Sequence, residues 1–263
     1  MSWRVFNIFN LPLADPFPLP LITSPWPVIC ILLVYLLFVL KLGRIFMENR
    51  EPYDVKKLMM VYNIVQIFYN ACICCLAIYW LFINPMYDFQ CMETLGLDHP
   101  EKIWERMTAY AYFINKILDL ADTVFFIVRK SYKQITTLHV YHHVIMVLST
   151  YMVERFYGPG GHFNVLGLLN SFVHAIMYFY YLLSSLYPQL KSSFWWKKYI
   201  TIIQIIQFTI LILHSLYVLL FSRNCGFPNS LLLMIIAQNS IIGFMFIKFY
   251  INTYIRPQKK KEE

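Results

Sequence analysis

The sequence predicts an all-α membrane protein, and three observations predict it. Hydrophobic residues fill 59% of the 263 positions and charged residues only 14%, whereas soluble domains carry about 25% charged residues. Seven apolar runs approach or exceed the roughly 20 helical residues needed to cross a hydrocarbon core. Lysine and arginine then fall mostly on one side of those runs, as the positive-inside rule requires of a multi-pass chain.

Residues 1–25 read as an irregular, Pro-rich segment, punctuated by Pro12, Pro16, Pro18, Pro20 and Pro25. A single seven-helix domain follows over 26–250, with spans near Trp26–Phe46, Leu58–Ile83, Trp104–Val128, Thr137–Val153, His162–Tyr187, Tyr199–Phe221 and Asn229–Tyr250. The fourth is short and holds three histidines. A basic tail, 251–263, ends the chain.

With the N-terminus luminal, fifteen basic residues are cytosolic: Lys41, Arg44, Arg50, Lys56, Lys57, Arg129, Lys130, Lys133, Lys191, Lys197, Lys198, Arg256, Lys259, Lys260 and Lys261. Arg4, Lys102, Arg106, Arg155 and Arg223 are luminal, and Lys116 and Lys248 lie inside spans. Topology alone explains most of the one-sided charge, although the same face would attract anionic headgroups or a polyphosphate substrate. Lys260 and Lys261 stand fourth and third from the C-terminus, the dilysine address of endoplasmic-reticulum membrane proteins with cytosolic tails; such addresses are read by receptors and do not anchor.

Cys30, Cys72, Cys74 and Cys75 fall in apolar spans and are expected to pack there. Cys91 and Cys225 fall in luminal loops, where a disulfide would tie the loop between spans two and three to the loop between six and seven.

Ionisable side chains inside a bilayer are costly, so they mark functional sites. The third span holds Lys116, Asp119, Asp122 and Thr123, the first three in steps of three along one helix face. A salt-bridge ladder would explain them without chemistry, but two acids against one base leave a surplus carboxylate. The fourth span places His139, His142 and His143 on one face. In the fifth, Asn170 precedes a stripe of His174, Met177, Tyr178 and Tyr181. The sixth adds Thr201, Gln204 and Gln207, amides that would equally serve as interhelical glue. At 1.5 Å per residue, Asp122 lies roughly 10 Å inside Arg129, and His142 and Gln207 each roughly 13 Å inside their nearest cytosolic lysines. The depths match, which predicts one buried polar site opening toward the cytosol.

Two chemistries compete for that site. Membrane desaturases and hydroxylases hold two irons with about eight histidines. This chain has seven in all, and His99 and His162 fall on the luminal side, so only a single metal ion fits the arithmetic. Alternatively a desolvated, neutral imidazole attacks a thioester directly. A seven-helix receptor would share the orientation, but three histidines on one helix face serve it no purpose. A transporter is a further rival.

Lys116-x-x-Asp119-x-x-Asp122-Thr123, His139-x-x-His142-His143, His174-x-x-Met177-Tyr178-x-Tyr180-Tyr181 and Thr201-x-x-Gln204-x-x-Gln207 together resemble the four ordered motifs of the very-long-chain fatty acid elongases, the ELO family. The resemblance spans roughly residues 26–261. It departs at Asp119, where the family usually carries glutamate. It implies a 3-oxoacyl-CoA synthase that condenses acyl-CoA with malonyl-CoA without a cofactor or metal. The implied fold has six helices around a narrow acyl-chain tunnel and the first helix outside it. By motif position, His142 would take the acyl group and His174 would assist, with His139, His143 and Asp122 supporting ring orientation and charge. Lys116, Asn170 and Gln204 are candidate donors to the enolate left by decarboxylation, and Asp119, Tyr178 and Gln207 complete the substrate-binding set. Arg129, Lys130, Lys197, Lys198 and Arg256 would suit CoA phosphates. Implied partners are membrane lipid, the reductases and dehydratase of the cycle, and a homo- or hetero-oligomer, with no nucleic acid.

Overall fold

A computed structural model of the protein describes residues 11–191, 194–222 and 224–256; Lys260 and Lys261 lie outside the described residues. Apart from one isolated bridge between Asp88 and Cys91, the regular elements are helical. In chain order they are α1 (Pro25–Met47), α2 (Lys56–Ile83), α3 (Lys102–Leu118), α4 (Ala121–Val128), α5 (Thr137–Phe156), α6 (Phe163–Leu186), the single turn α7 (Pro188–Lys191), α8 (Phe194–Phe221) and α9 (Asn229–Ile255). By length and composition, α1, α2, α6, α8 and α9 can cross a membrane.

Local sequence explains several boundaries. Pro25 opens α1 after an extended Ser24; its missing N–H is harmless in a first turn. Thr136 caps α5 by accepting the His139 backbone N–H at 3.2 Å. Helix α4 ends in a Schellman motif: Ser131 N–H reaches Phe126 O at 2.8 Å and Lys130 N–H reaches Ile127 O at 2.9 Å. The left-handed position, usually glycine, is Lys130 at φ 54°, a conformation costing about 1–2 kcal/mol for a residue with a Cβ.

The run expected to form one helix over Trp104–Val128 is broken. Helix α3 stops at Leu118 and α4 begins at Ala121. Between them Leu120, Asp122 and Thr123 donate to carbonyls three residues back, a local 3₁₀ tightening. Residues three apart eclipse in such a turn, so the Lys116, Asp119, Asp122 series continues across the break. Helices α6 and α8 cover the fifth and sixth predicted runs, α8 starting five residues earlier than expected.

The chain forms two compact units. The first comprises residues up to Val55 together with Thr94–Gly160. Its core joins Val28, Leu32, Tyr35 and Val39 of α1 to Phe113, Leu120, Ile127, Val147 and Tyr151. Gly43 permits close approach of α1 and α4, since a Cβ there would stand 2.9 Å from Ile127 Cγ2. Lys102, Arg106 and Arg155, counted among the luminal basic residues, are held in a charge cluster. Lys102 Nζ lies 2.7 Å from Glu105 Oε2, Arg106 Nε lies 2.7 Å from Asp15 Oδ2, and Arg155 Nη2 donates to Leu11 O at 2.6 Å. Glu154 is buried in the last turn of α5, one residue past the predicted span. Burial, reinforced by the Glu105 and Asp15 carboxylates and opposed by Lys102, pushes its carboxyl up to about 8.

The second unit comprises Lys56–Glu93 and the residues from Gly161 onward. In it α2 packs along α6, and α8 packs against both α6 and α9. Cys91 and Cys225 form a disulfide. Next to it, Met92 N–H donates to His162 Nε2 at 3.2 Å, and His162 Nδ1 stands 3.1 Å from His214 Nε2. A nitrogen that accepts from a backbone amide carries no proton, so His162 is the Nδ1–H tautomer and donates to His214. Of the four other cysteines only Cys74 is buried; Cys30, Cys72 and Cys75 are exposed rather than packed.

Candidate active site

The first unit brings the motifs of the third and fourth runs together. Lys116 Nζ lies 2.8 Å from Asp119 Oδ2, with both side chains almost fully buried, and 4.9 Å from the Tyr112 ring centroid. The salt-bridge ladder therefore exists for one acid, and Asp122 is the half-buried second carboxylate. Thr123 Oγ1 stands 2.9 Å from His139 Nε2 and 2.9 Å from the Tyr35 hydroxyl. One buried hydroxyl thus ties α1, α4 and α5 to a single imidazole.

The three histidines of α5 pack ring against ring. His139 and His143 centroids are 4.3 Å apart at 65°, and His142 and His143 are 5.9 Å apart at 73°. Phe126 of α4 covers the other side of His139 at 5.3 Å. His143 is buried and His142 half-buried. Fixed rings in a dry setting suit a neutral imidazole nucleophile, because desolvation disfavours the charged form and packing restrains rotation. Arg129 caps the C-terminal end of α4 and is half-buried, with Lys130 next to it.

The second unit holds the motifs of α6 and α8. Asn170, His174 and Tyr178 follow one another at four-residue steps on α6, all buried, and the His174 and Tyr178 ring centroids are 5.9 Å apart. Tyr181, expected in the same stripe, is exposed, although its ring centroid lies 5.9 Å from that of Tyr178. Gln204 of α8 points its amide at Met177 Sδ, 3.8 Å away. Gln207, three residues on, is buried. Lys198 is half-buried near the start of α8, Lys197 is exposed beside it, and Arg256 is exposed where α9 ends. Cys91 and Cys225 sit apart from the α6 motif, at the end of α6 marked by His162.

One polar set escaped the motif reading. Helix α2 buries Asn63, Gln66 and Asn70, and the Tyr62 hydroxyl lies 3.4 Å from that of Tyr178. The signal was available, since three amides at i, i+3 and i+7 in an apolar run mark one helix face.

Residues 20–262 match the ELO family, described as the GNS1/SUR4 family. A Drosophila melanogaster protein named very long chain fatty acid elongase F is 41% identical over 246 residues, covering 94% of this chain and 95% of the relative. The human very long chain fatty acid elongase 4 is 37% identical over 248 residues, covering 92% of this chain and 76% of the relative. A second Drosophila melanogaster relative, elongase 7, is 36% identical, covering 92% of this chain and 72% of its own length. The polar clusters were found from their cost in an apolar chain, the similarity runs through all of them, and the chain belongs to the ELO (GNS1/SUR4) family.

Proposed function

We propose that the chain is the condensing enzyme of fatty acid elongation, a 3-oxoacyl-CoA synthase acting on long-chain or very-long-chain acyl-CoA and malonyl-CoA. The observation that carries this reading is the packed triad of His139, His142 and His143, with His139 held by Thr123. Relatives named very long chain fatty acid elongase match across most of the chain, which favours condensation over the desaturase, receptor and transporter readings.

In this mechanism a ring nitrogen of His142 attacks the thioester carbonyl of acyl-CoA. The carbon–sulfur bond breaks and CoA leaves as thiolate, taking up a proton as the imidazole gives one up. Malonyl-CoA then loses carbon dioxide, and the carbon of the resulting enolate attacks the acyl-imidazole. Collapse breaks the carbon–nitrogen bond and releases 3-oxoacyl-CoA, and the leaving imidazolate takes up one proton from solvent to regenerate neutral His142. His174 assists as base or orienting partner, and Asp122 balances charge on the imidazoles. Lys116, Asn170 and Gln204 are the proposed donors to the developing enolate oxygen. Asp119, paired with Lys116, would hold that ammonium in place. No cofactor enters any step.

The reading places seven spans in the endoplasmic-reticulum membrane, with six around an acyl tunnel, the N-terminus luminal and the C-terminus cytosolic. Arg129, Lys198 and Arg256 would meet CoA phosphates at the cytosolic face, where charge attracts polyphosphate. The reductases and dehydratase of the cycle would consume the product.

The test supplies purified protein in detergent with a panel of long-chain and very-long-chain acyl-CoAs and labelled malonyl-CoA. Labelled 3-oxoacyl-CoA, abolished by His142→Ala and strongly reduced by His174→Ala, is expected. Undiminished product from His142→Ala contradicts the mechanism.

A further inference from the structure

We propose that the loops joined by the Cys91–Cys225 disulfide form a zinc site when that bond is reduced, with Cys91, Cys225, Glu93 and His162 as its four ligands. The site is separate from the condensation chemistry and does not depend on it. His162 stands at the opposite end of α6 from the His174 motif, roughly 18 Å away along a helix.

Three segments of the second unit deliver these donors. Cys91 and Glu93 follow α2, His162 immediately precedes α6, and Cys225 lies between α8 and α9. The ligand atoms of Cys91, Glu93 and Cys225 all lie within 4.8 Å of one another. Cys91 Sγ is 3.2 Å from Glu93 Oε1, and Cys225 Sγ is 4.0 Å from His162 Nε2. Ligand atoms on one tetrahedral zinc stand about 3.5 Å apart, a value those two distances straddle. Two thiolates, an imidazole and a carboxylate make a donor set that zinc accepts.

The two donors other than cysteine are already aimed. Met92 N–H donates to His162 Nε2 at 3.2 Å, so that nitrogen presents a lone pair, and Nδ1–H donates to His214 Nε2 at 3.1 Å. Metal-binding histidines are commonly held in this way by their other nitrogen. The His162 ring is buried and meets Phe227 edge to face, 4.9 Å between centroids, which restrains its rotation. Zinc takes the place of the Met92 N–H on Nε2. Glu93 is held by Gly226, whose N–H donates to Oε1 at 2.8 Å. A Cβ at Gly226 would stand 2.8 Å from both carboxylate oxygens, so the glycine leaves room for the carboxylate beside the cysteines. Glu93 is exposed and both cysteines are half-buried, which gives the ion a way in.

A dithiol reductant passes two electrons and two protons to the Cys91–Cys225 bond. The bond breaks to two thiols, and the dithiol closes to its own disulfide. Zn²⁺ then displaces both thiol protons to solvent and binds the thiolates, the Glu93 carboxylate and neutral His162. The ion joins the same two loops that the disulfide joins, so the tie survives reduction.

The experiment uses the full chain in detergent, reduced with dithiothreitol, desalted without oxygen and titrated with zinc chloride against a chromophoric chelator, or with cobalt(II). Reduced wild type should bind about one zinc per chain with release of about two protons, and oxidised wild type should bind none. Cobalt should give thiolate-to-metal charge-transfer bands and the intense visible bands of tetrahedral geometry. Cys91→Ser/Cys225→Ser should lose the site, a control for the four other cysteines. Glu93→Gln should bind at least about tenfold more weakly, and His214→Phe about tenfold more weakly through its hold on His162. Zinc should restore the melting temperature that reduction lowers in wild type and leave the double serine variant unmoved. Reduced wild type that takes up no more zinc than the double serine variant overturns the inference, as does a cobalt spectrum without charge transfer. Wild-type affinity in both Glu93→Gln and His162→Gln overturns it too, since the thiolates would then hold the metal without the other two ligands.

Discussion

Thr123 Oγ1 and His139 Nε2 stand 2.9 Å apart, and the same hydroxyl lies 2.9 Å from the hydroxyl of Tyr35. His139 is thus fixed twice, at its ring by Thr123 and at its backbone N–H by Thr136. Since His139 packs on His143 and His143 on His142, the hydroxyl orients the whole triad. Thr123→Val keeps the shape and removes the oxygen. Leaving a buried polar partner unsatisfied costs about 1–3 kcal/mol, so melting temperature and turnover should both fall, turnover about tenfold, while Thr123→Ser retains most of both. Steady-state kinetics with thermal unfolding in detergent checks this.

The Lys116–Asp119 pair should behave as a buried ion pair. Removing one partner strands a charge at a cost of about 3–5 kcal/mol, whereas removing both costs less. Lys116→Met and Asp119→Leu are therefore each expected to destabilise more than the double variant does. Melting temperatures of the three proteins decide the point.

The Cys91–Cys225 disulfide joins residues 134 positions apart in sequence. Loss of a crosslink over so long a loop is expected to cost about 2–5 kcal/mol. Dithiothreitol should lower the melting temperature of the wild type and leave a Cys91→Ser/Cys225→Ser variant unmoved.

Glu154 predicts a pH dependence. Its carboxyl in the folded protein is raised to about 8 by burial and by Glu105 and Asp15, so over neutral pH the folded state holds a proton that the unfolded chain has released. The stabilising contribution is full below the unfolded carboxyl range and is lost as pH rises through the folded value. Melting temperature should therefore decline toward pH 8 and above in the wild type, and decline less in Glu154→Gln.

The site was legible in the sequence where polarity conflicts with surroundings. Lys116, Asp119, the three histidines of α5 and His174 announce themselves because each is expensive in an apolar run, and helical spacing assigns their faces. Asn63, Gln66 and Asn70 obey the same rule, but they are neutral and lie among tyrosines and cysteines. The break at Asp119 and Leu120 has no proline or glycine to mark it. The charge cluster was not legible because its pairing is non-local: Asp15 and Arg106 are 91 positions apart. Cysteine packing depends on which face of a helix turns outward, and periodicity in α2 did not separate Cys74 from Cys72 and Cys75.

The account stands most directly on His142 as the acyl acceptor. Purified protein incubated with acyl-CoA in the absence of malonyl-CoA, then digested and analysed by mass spectrometry, should carry one acyl group on the His142 peptide, and addition of malonyl-CoA should discharge it as 3-oxoacyl-CoA. Active protein that carries no acyl group there, or a His142→Ala variant that still condenses at the wild-type rate, would contradict it.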